Sequence, residues 1–209
     1  LACMCGTVLL QRTDLTKPFF SEGGSFWTNS TTELLATTTE ADRQGHTRNR
    51  CNRAGYESVA LIPLRSGVEV VGLLQLNDRQ TGRFTPEMIC FCEGLGPSIG
   101  VALSRQRAEW ALQERMKELN CLYGISALLE LPGISLEKIL KGTVRLLPPA
   151  WQYPKITVAR IVFEGKTFQT PPRFRKTSWM MARQITVNDK PVGKVEVGYL
   201  EEQPASDEG

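Results

Sequence analysis

Cysteine supplies the first chemistry in the chain. Cys3 and Cys5 stand one residue apart, and Cys51 follows the run Arg48-Asn49-Arg50. Three thiolates brought together by a fold would offer soft ligands to zinc, iron or an iron-sulfur centre. The same three would serve as a redox-responsive thiol cluster. Cys-x-Cys is a poorer ligand signal than paired Cys-x-x-Cys, so inert cysteines are the competing reading. Cys90, Cys92 and Cys121 fall in an apolar-periodic stretch, where a thiol is expected to act as a small buried hydrophobe. The only histidine, His46, sits in a polar run and is expected on the surface rather than on a metal. Arg43, Arg48, Arg50 and Arg53 would clamp an anion through charge-assisted hydrogen bonds if the fold gathered them. A Ser-His-Asp arrangement has only His46 to use and no nucleophile elbow, so the chain is not expected to be an enzyme.

Those residues need elements to position them, and the longest candidate runs from Thr85 to Leu131. It opens on Thr85-Pro86-Glu87: an N-cap hydroxyl, proline at the first helical position and an acid in the first turn. Apolar residues then recur at spacings of three and four, first as Met88, Phe91, Cys92, Leu95, Ile99, Ala102 and Leu103, later as Leu112, Met116, Leu119, Leu122, Ile125 and Leu129. Gly94, Gly96 and Pro97 predict a kink near Gly96. Ser104 to Glu109 is polar on nearly every face, as a solvated connector would be.

Upstream, residues 13 to 53 hold little that can build a core. A segment so long and polar is expected to be a lid or a ligand-facing excursion. Within it, hydroxyls around Ser30 to Thr32 would cap a short helix, and Thr39 with Asp42 repeats the capping pattern. Tyr56 to Leu64 and Val68 to Asn77 read as two strands of a hairpin joined by a three-residue turn. Downstream the pattern restarts. Ser135 caps an amphipathic helix ending near Leu147, and strands follow at Ile156 to Phe163, Lys166 to Gln169, Met181 to Val187 and Val192 to Leu200. Glu201 to Gly209 reads as a linker.

Composition narrows the class. With 209 residues, 41% apolar and 22% charged, the chain is an ordinary globular sequence long enough for two small domains. The net charge of +3 is small and the basic residues are interspersed with acids, so no nucleic-acid partner is expected. No apolar run approaches the ~18 residues that cross a bilayer, and no leader pattern is visible, so membrane insertion is not expected and the cytoplasm is.

The segment Tyr56 to Ala108, with its hairpin, Gly72-Leu73-Leu74-Gln75-Leu76-Asn77, Phe84-Thr85-Pro86-Glu87 and a closing helix, resembles the C-terminal half of a GAF domain. Cys3-Met4-Cys5-Gly6, Gly24-Ser25-Phe26-Trp27-Thr28-Asn29-Ser30 and Arg48-Asn49-Arg50-Cys51-Asn52 resemble a GAF subgroup of multidomain sensor histidine kinases. Residues from about 115 to 203 look like the compact second GAF-like domain that often follows. The resemblance implies an α+β fold: two GAF-like domains, each a central antiparallel sheet flanked by helices, joined by a long connecting helix. The divisions would be 1–104, a connecting helix at 105–131, and 132–209, with the first domain lacking its N-terminal part and the second its closing helix. It further implies a sensory module that binds a small molecule or senses redox state and signals to a downstream kinase domain; the apolar spacing from Leu112 to Leu129 is expected to pair the connecting helix with its copy in a homodimer. Trp27, Thr28, Asn29 and Arg50 would face the ligand. Cys3, Cys5 and Cys51 would be the metal, iron-sulfur or haem ligands of the alternative, a cysteine-ligated redox sensor. An outside alternative is a thiol-dependent reductase of free methionine sulfoxide.

Overall fold

The computed structural model describes residues 3–43, 47–171 and 174–202. Two compact units divide the chain at Ala108 and Glu109. Each is an α+β unit with one antiparallel sheet, and a single long helix runs from one into the other. Among the described residues no helix is long and apolar enough to cross a membrane.

In the first unit the elements are α1 (Met4–Leu9), β1 (Phe26–Thr28), α2 (Thr31–Thr37), α3 (Arg50–Arg53), β2 (Ser58–Ser66), β3 (Glu69–Asp78) and α4 (Pro86–Leu129), which continues into the second unit. The sheet has the order β1-β2-β3, antiparallel throughout. Gly67 at φ 62° and Val68 form the tip of the β2–β3 hairpin, a two-residue turn rather than the three expected. Because β2 lies between two partners and both its faces are covered, all seven residues from Ser58 to Leu64 are buried. Odd-numbered Val59 and Leu61 face a cluster with Met4, Val8, Phe19, Phe20 and Phe26. Even-numbered Ala60 and Ile62 face a second cluster with Phe84 and Ile89.

The first cluster corrects one expectation. The segment 13 to 53 contributes Phe19, Phe20 and Phe26 to the core, with ring centroids 5.1–6.1 Å apart in tilted and edge-on contacts. Three aromatics suffice to anchor a chain that is otherwise polar. The caps behave as expected at Ser30, whose hydroxyl accepts from the Glu33 N–H. Thr39 and Asp42 bond each other reciprocally, but only a turn follows them.

Helix α4 differs from its apolar pattern in an informative way. Its buried residues are Ile89, Gly96 and Gly100, while Met88, Phe91, Leu95 and Ile99 are exposed. A Cβ at Gly96 would stand 2.9 Å from the Pro63 carbonyl oxygen, and one at Gly100 would stand 2.1 Å from that of Arg65. The helix therefore lies directly on the backbone of β2, and only glycine admits that approach. The helical assignment is unbroken through Pro97 where a kink was expected; Pro97 is on the exposed side. Cys90 is exposed and Cys92 and Cys121 are half-buried, so none is the fully buried hydrophobe expected.

In the second unit α5 (Leu136–Leu146), capped by the Ser135 hydroxyl, is followed by β4 (Thr157–Phe163), β5 (Lys166–Gln169), β6 (Met180–Val187) and β7 (Lys190–Tyr199). The sheet order is β5-β4-β7-β6, again antiparallel. Val144 of α5 packs on Ala159, Ile161, Phe168 and Val197. The C-terminal part of α4 meets α5 through small residues: a Cβ at Gly124 would stand 2.9 Å from Leu146, and one at Gly142 would stand 2.5 Å from Leu128. Arg160 donates to Glu196 at 2.7 Å and lies 4.1 Å over the Phe174 ring.

The glycine contact sets opposite outcomes for two substitutions on one helix. Gly100→Ala should lower the unfolding free energy of the first unit by about 1–3 kcal/mol or more, the cost of overpacking. Gly94→Ala, with open space around its Cβ position, should raise it by about 0.5–1 kcal/mol through helix propensity. Urea unfolding of both variants would check the sign as well as the size.

Candidate functional site

The register of the first sheet decides which side chains meet. Phe26 pairs with Leu61 and Leu61 with Gln75, so these three form one row on the α1 face of the sheet. Trp27, Ala60 and Leu76 form the next row on the opposite face, toward α4. Helix α1 lays Met4 and Val8 on the first face, a spacing of four that puts both on one side of a helix. That seating carries Cys3 and Cys5 to the edge of the cluster, where α3 presents Cys51.

A small cavity of about 60 Å³ results. Cys3, Cys5 and Cys51 line it with Arg43 and Arg50, over an apolar floor that includes Phe26 and Leu61. Gln75 links two of the thiols: its Nε2 donates to Cys51 Sγ at 3.5 Å, and its Oε1 lies 3.9 Å from Cys5 Sγ as an acceptor. The adjacent Cys5 side chain is the main influence lowering the Cys3 thiol to about 5, against the opposing effect of burial, with backbone N–H groups of Cys5, Arg48 and Met4 adding to it. Cys5 is pushed up, first by its neighbour Cys3 and then by burial. Burial, followed by the nearby Cys3 charge, raises Cys51. The trio therefore holds one thiolate and two thiols near neutral pH.

Arg43 is the buried charge of the site, only 7% exposed. Its Nη1 donates to the carbonyl and hydroxyl oxygens of Thr38 at 2.6 and 2.7 Å, while its Nε has no hydrogen-bond partner. A buried guanidinium with a free N–H is costly unless something polar meets it, so it offers a donor to a guest.

Trp27, Thr28 and Asn29 do not join the thiols. Trp27 packs in the α4-side cluster. Asn29 clasps the start of α4, donating to the Phe84 carbonyl at 2.8 Å and accepting from the Phe84 N–H at 2.9 Å. Thr28 and Asn29 border a separate open depression of about 480 Å³ beside Glu33 and Thr81. Arg50 does line the thiol cavity. His46 lies outside the described residues. Gln75 carries no chemical signal of its own in the sequence; its place in the alternation of β3, in register with Leu61 and Phe26, is the signal that marks it.

Cysteine ligation would suggest a metal ion or a haem in this cavity. Among the described residues no group of three or more His, Cys, Asp or Glu side chains stands where it could hold one metal ion. A space of about 60 Å³ is far too small for a porphyrin. It is nearer the scale at which ~10–15 Å³ admits one water. No protein-family model matches the sequence, and no curated protein matches it.

Because Asn29 belongs to the α4 clasp and not to the thiol cavity, Asn29→Ala should separate stability from thiol chemistry. It should cost about 1–3 kcal/mol in denaturant unfolding, for two half-buried hydrogen bonds lost. The number of thiols that react with a disulfide reagent in the folded protein should not change.

Proposed function

We propose that the chain is the sensory part of a cytoplasmic signal-transduction protein: a GAF-like module that senses a small molecule or redox state and relays it through α4 to a downstream histidine kinase. The observation that carries this is the placement of one 44-residue helix, seated on the backbone of β2 in the first unit and continued into the second. Opposite faces of the same sheet bear the thiol cavity and α4, so β2 is the shortest route from site to helix. A second tie runs through Glu93 of α4, whose carboxylate accepts from the Ser21 hydroxyl and, at 3.4 Å, from the Ser25 N–H. A helix held by glycine contacts and one carboxylate has a few discrete seatings, and a change at the site that favours one shifts the population.

The same helix carries the proposed subunit contact. Leu112, Met116, Leu119, Leu122 and Leu129 are all exposed, by 48–64%. Their spacing of three and four is that of a helix-to-helix seam, and exposed apolar stripes of this length mark interaction surfaces. The partner proposed is α4 of a second copy, in a homodimer. Neither unit is proposed to be an enzyme in its own right.

Sedimentation equilibrium of the whole chain tests the relay. A dimer is expected at micromolar concentration, with Leu112→Glu plus Leu119→Glu weakening it by at least about 100-fold, the scale of two buried leucines lost from an interface. A wild-type chain that stays monomeric at high micromolar concentration would sink the proposal.

A further inference from the structure

The thiol trio is built in a way that the sensory reading leaves unexplained. Three cysteines, Cys3 at the N-cap of α1, Cys5 within it and Cys51 on α3, line one small cavity, and Gln75, a strand residue, bonds two of them. Inert cysteines have no need of such partners. A metal-ligand set is not present among the described residues. What the geometry does provide is three sulfurs, two of them one residue apart in the chain, on the wall of one cavity of about 60 Å³ that is also lined by Arg43, whose Nε–H is free; the lowered Cys3 thiol makes it the nucleophile among them. Room on this scale admits a molecule of a few non-hydrogen atoms.

We infer that this cavity is a peroxide-reactive thiol site, in which Cys3 attacks a small hydroperoxide and Cys5 resolves the product as a disulfide, a refinement that rests on the first unit being a sensor. The Cys3 thiolate attacks one peroxide oxygen. An S–O bond forms as the O–O bond breaks, the sulfur loses two electrons, and the second oxygen leaves as alkoxide or hydroxide and takes a proton from water. Cys5 then attacks the Cys3 sulfenic acid. The S–S bond forms as the S–O bond breaks, and the departing hydroxide leaves as water with the Cys5 proton. Overall one hydroperoxide is reduced to an alcohol, or to water, while two thiols are oxidised. Arg43 lines the same cavity with its Nε free, a donor for an incoming oxygen. Closing the Cys3–Cys5 bond removes the proton that Cys5 shares with Gln75, so Gln75 on β3 loses one of its two sulfur partners. The chemical event thereby reaches the sheet on which α4 sits.

The test uses the intact chain, reduced and desalted, then treated with hydrogen peroxide near stoichiometry and mapped by alkylation and mass spectrometry. Two fewer alkylated thiols are expected, both in the peptide carrying Cys3 and Cys5, with full recovery on adding a dithiol. In Cys5→Ser the sulfenic acid should persist and be captured on Cys3 by a cyclic dione. Untreated wild type gives a readout that needs no variant to fold. With a Cys3 pKa of about 5, its alkylation near pH 6 should run about tenfold faster than that of free glutathione, the gain in thiolate outweighing the lower intrinsic nucleophilicity. Its rate should level off above pH 6 while that of glutathione keeps rising. Equal rates at Cys3 and glutathione, or oxidation that stops at Cys51 with Cys3 and Cys5 still free, would overturn the inference. The sedimentation result is independent of thiol state, so inert thiols in a dimeric chain would remove this chemistry and leave the sensory proposal standing.

Discussion

The backbone contact between α4 and β2 is the constraint from which the first unit's other features follow. The carbonyl oxygens of Pro63 and Arg65 occupy the space that side chains at positions 96 and 100 would need. Helix and strand can approach so closely only where Cβ is absent. Once that face of α4 is committed to β2, the apolar residues on the other sides of the helix have no partner within the unit. Phe91, Leu95 and Ile99 are therefore left in solvent, although their spacing is that of a core stripe. The same commitment buries β2 on both faces, and the unit acquires two clusters divided by one strand.

That division separates the site from the helix while keeping them one strand apart. On the cavity side the chemistry depends on α1, a helix of six residues that is too short to be stable alone and is held by Met4 and Val8. Its position places Cys3 and Cys5 on the cavity wall and turns Cys5 toward Gln75. On the other side Trp27, Ala60, Ile62 and Leu76 form the bed beneath the start of α4. Asn29 fastens Phe84, just ahead of that helix, and Glu93 ties its third turn to the loop of Ser21 and Ser25. The second unit repeats the use of small residues, with Gly124 and Gly142 letting α4 and α5 close on one another.

Much of the local structure was legible in the residues. The hairpin, the Thr85-Pro86-Glu87 helix start, the Ser30 and Ser135 caps and the four strands of the second sheet follow from alternation, capping chemistry and turn residues, which act over a few positions. The gathering of Cys3, Cys5 and Cys51 was legible only as a possibility, because it requires α1 and α3 to be brought together by the core cluster. The structure divides the group Trp27, Thr28 and Asn29: Trp27 packs beneath α4, while Thr28 and Asn29 border the open depression. In a strand, adjacent side chains point to opposite faces, and Trp27 is on the one that α4 covers.

The sequence alone determined the long helix, the hairpin, the capped helix after Ser135 and the strands that follow it, that the chain has two sheet-bearing units, and which residues could do thiol chemistry; it did not mark α1, β1 or α3. Only the tertiary structure decided which face of α4 is buried, that Phe19, Phe20 and Phe26 anchor a polar segment, and that Gln75 sits among the thiols. The physical reason is that periodicity records where apolar side chains fall along an element, whereas burial is fixed by what lies opposite. Opposite α4 lies a strand backbone, and against a backbone the absence of a side chain outweighs the presence of an apolar one.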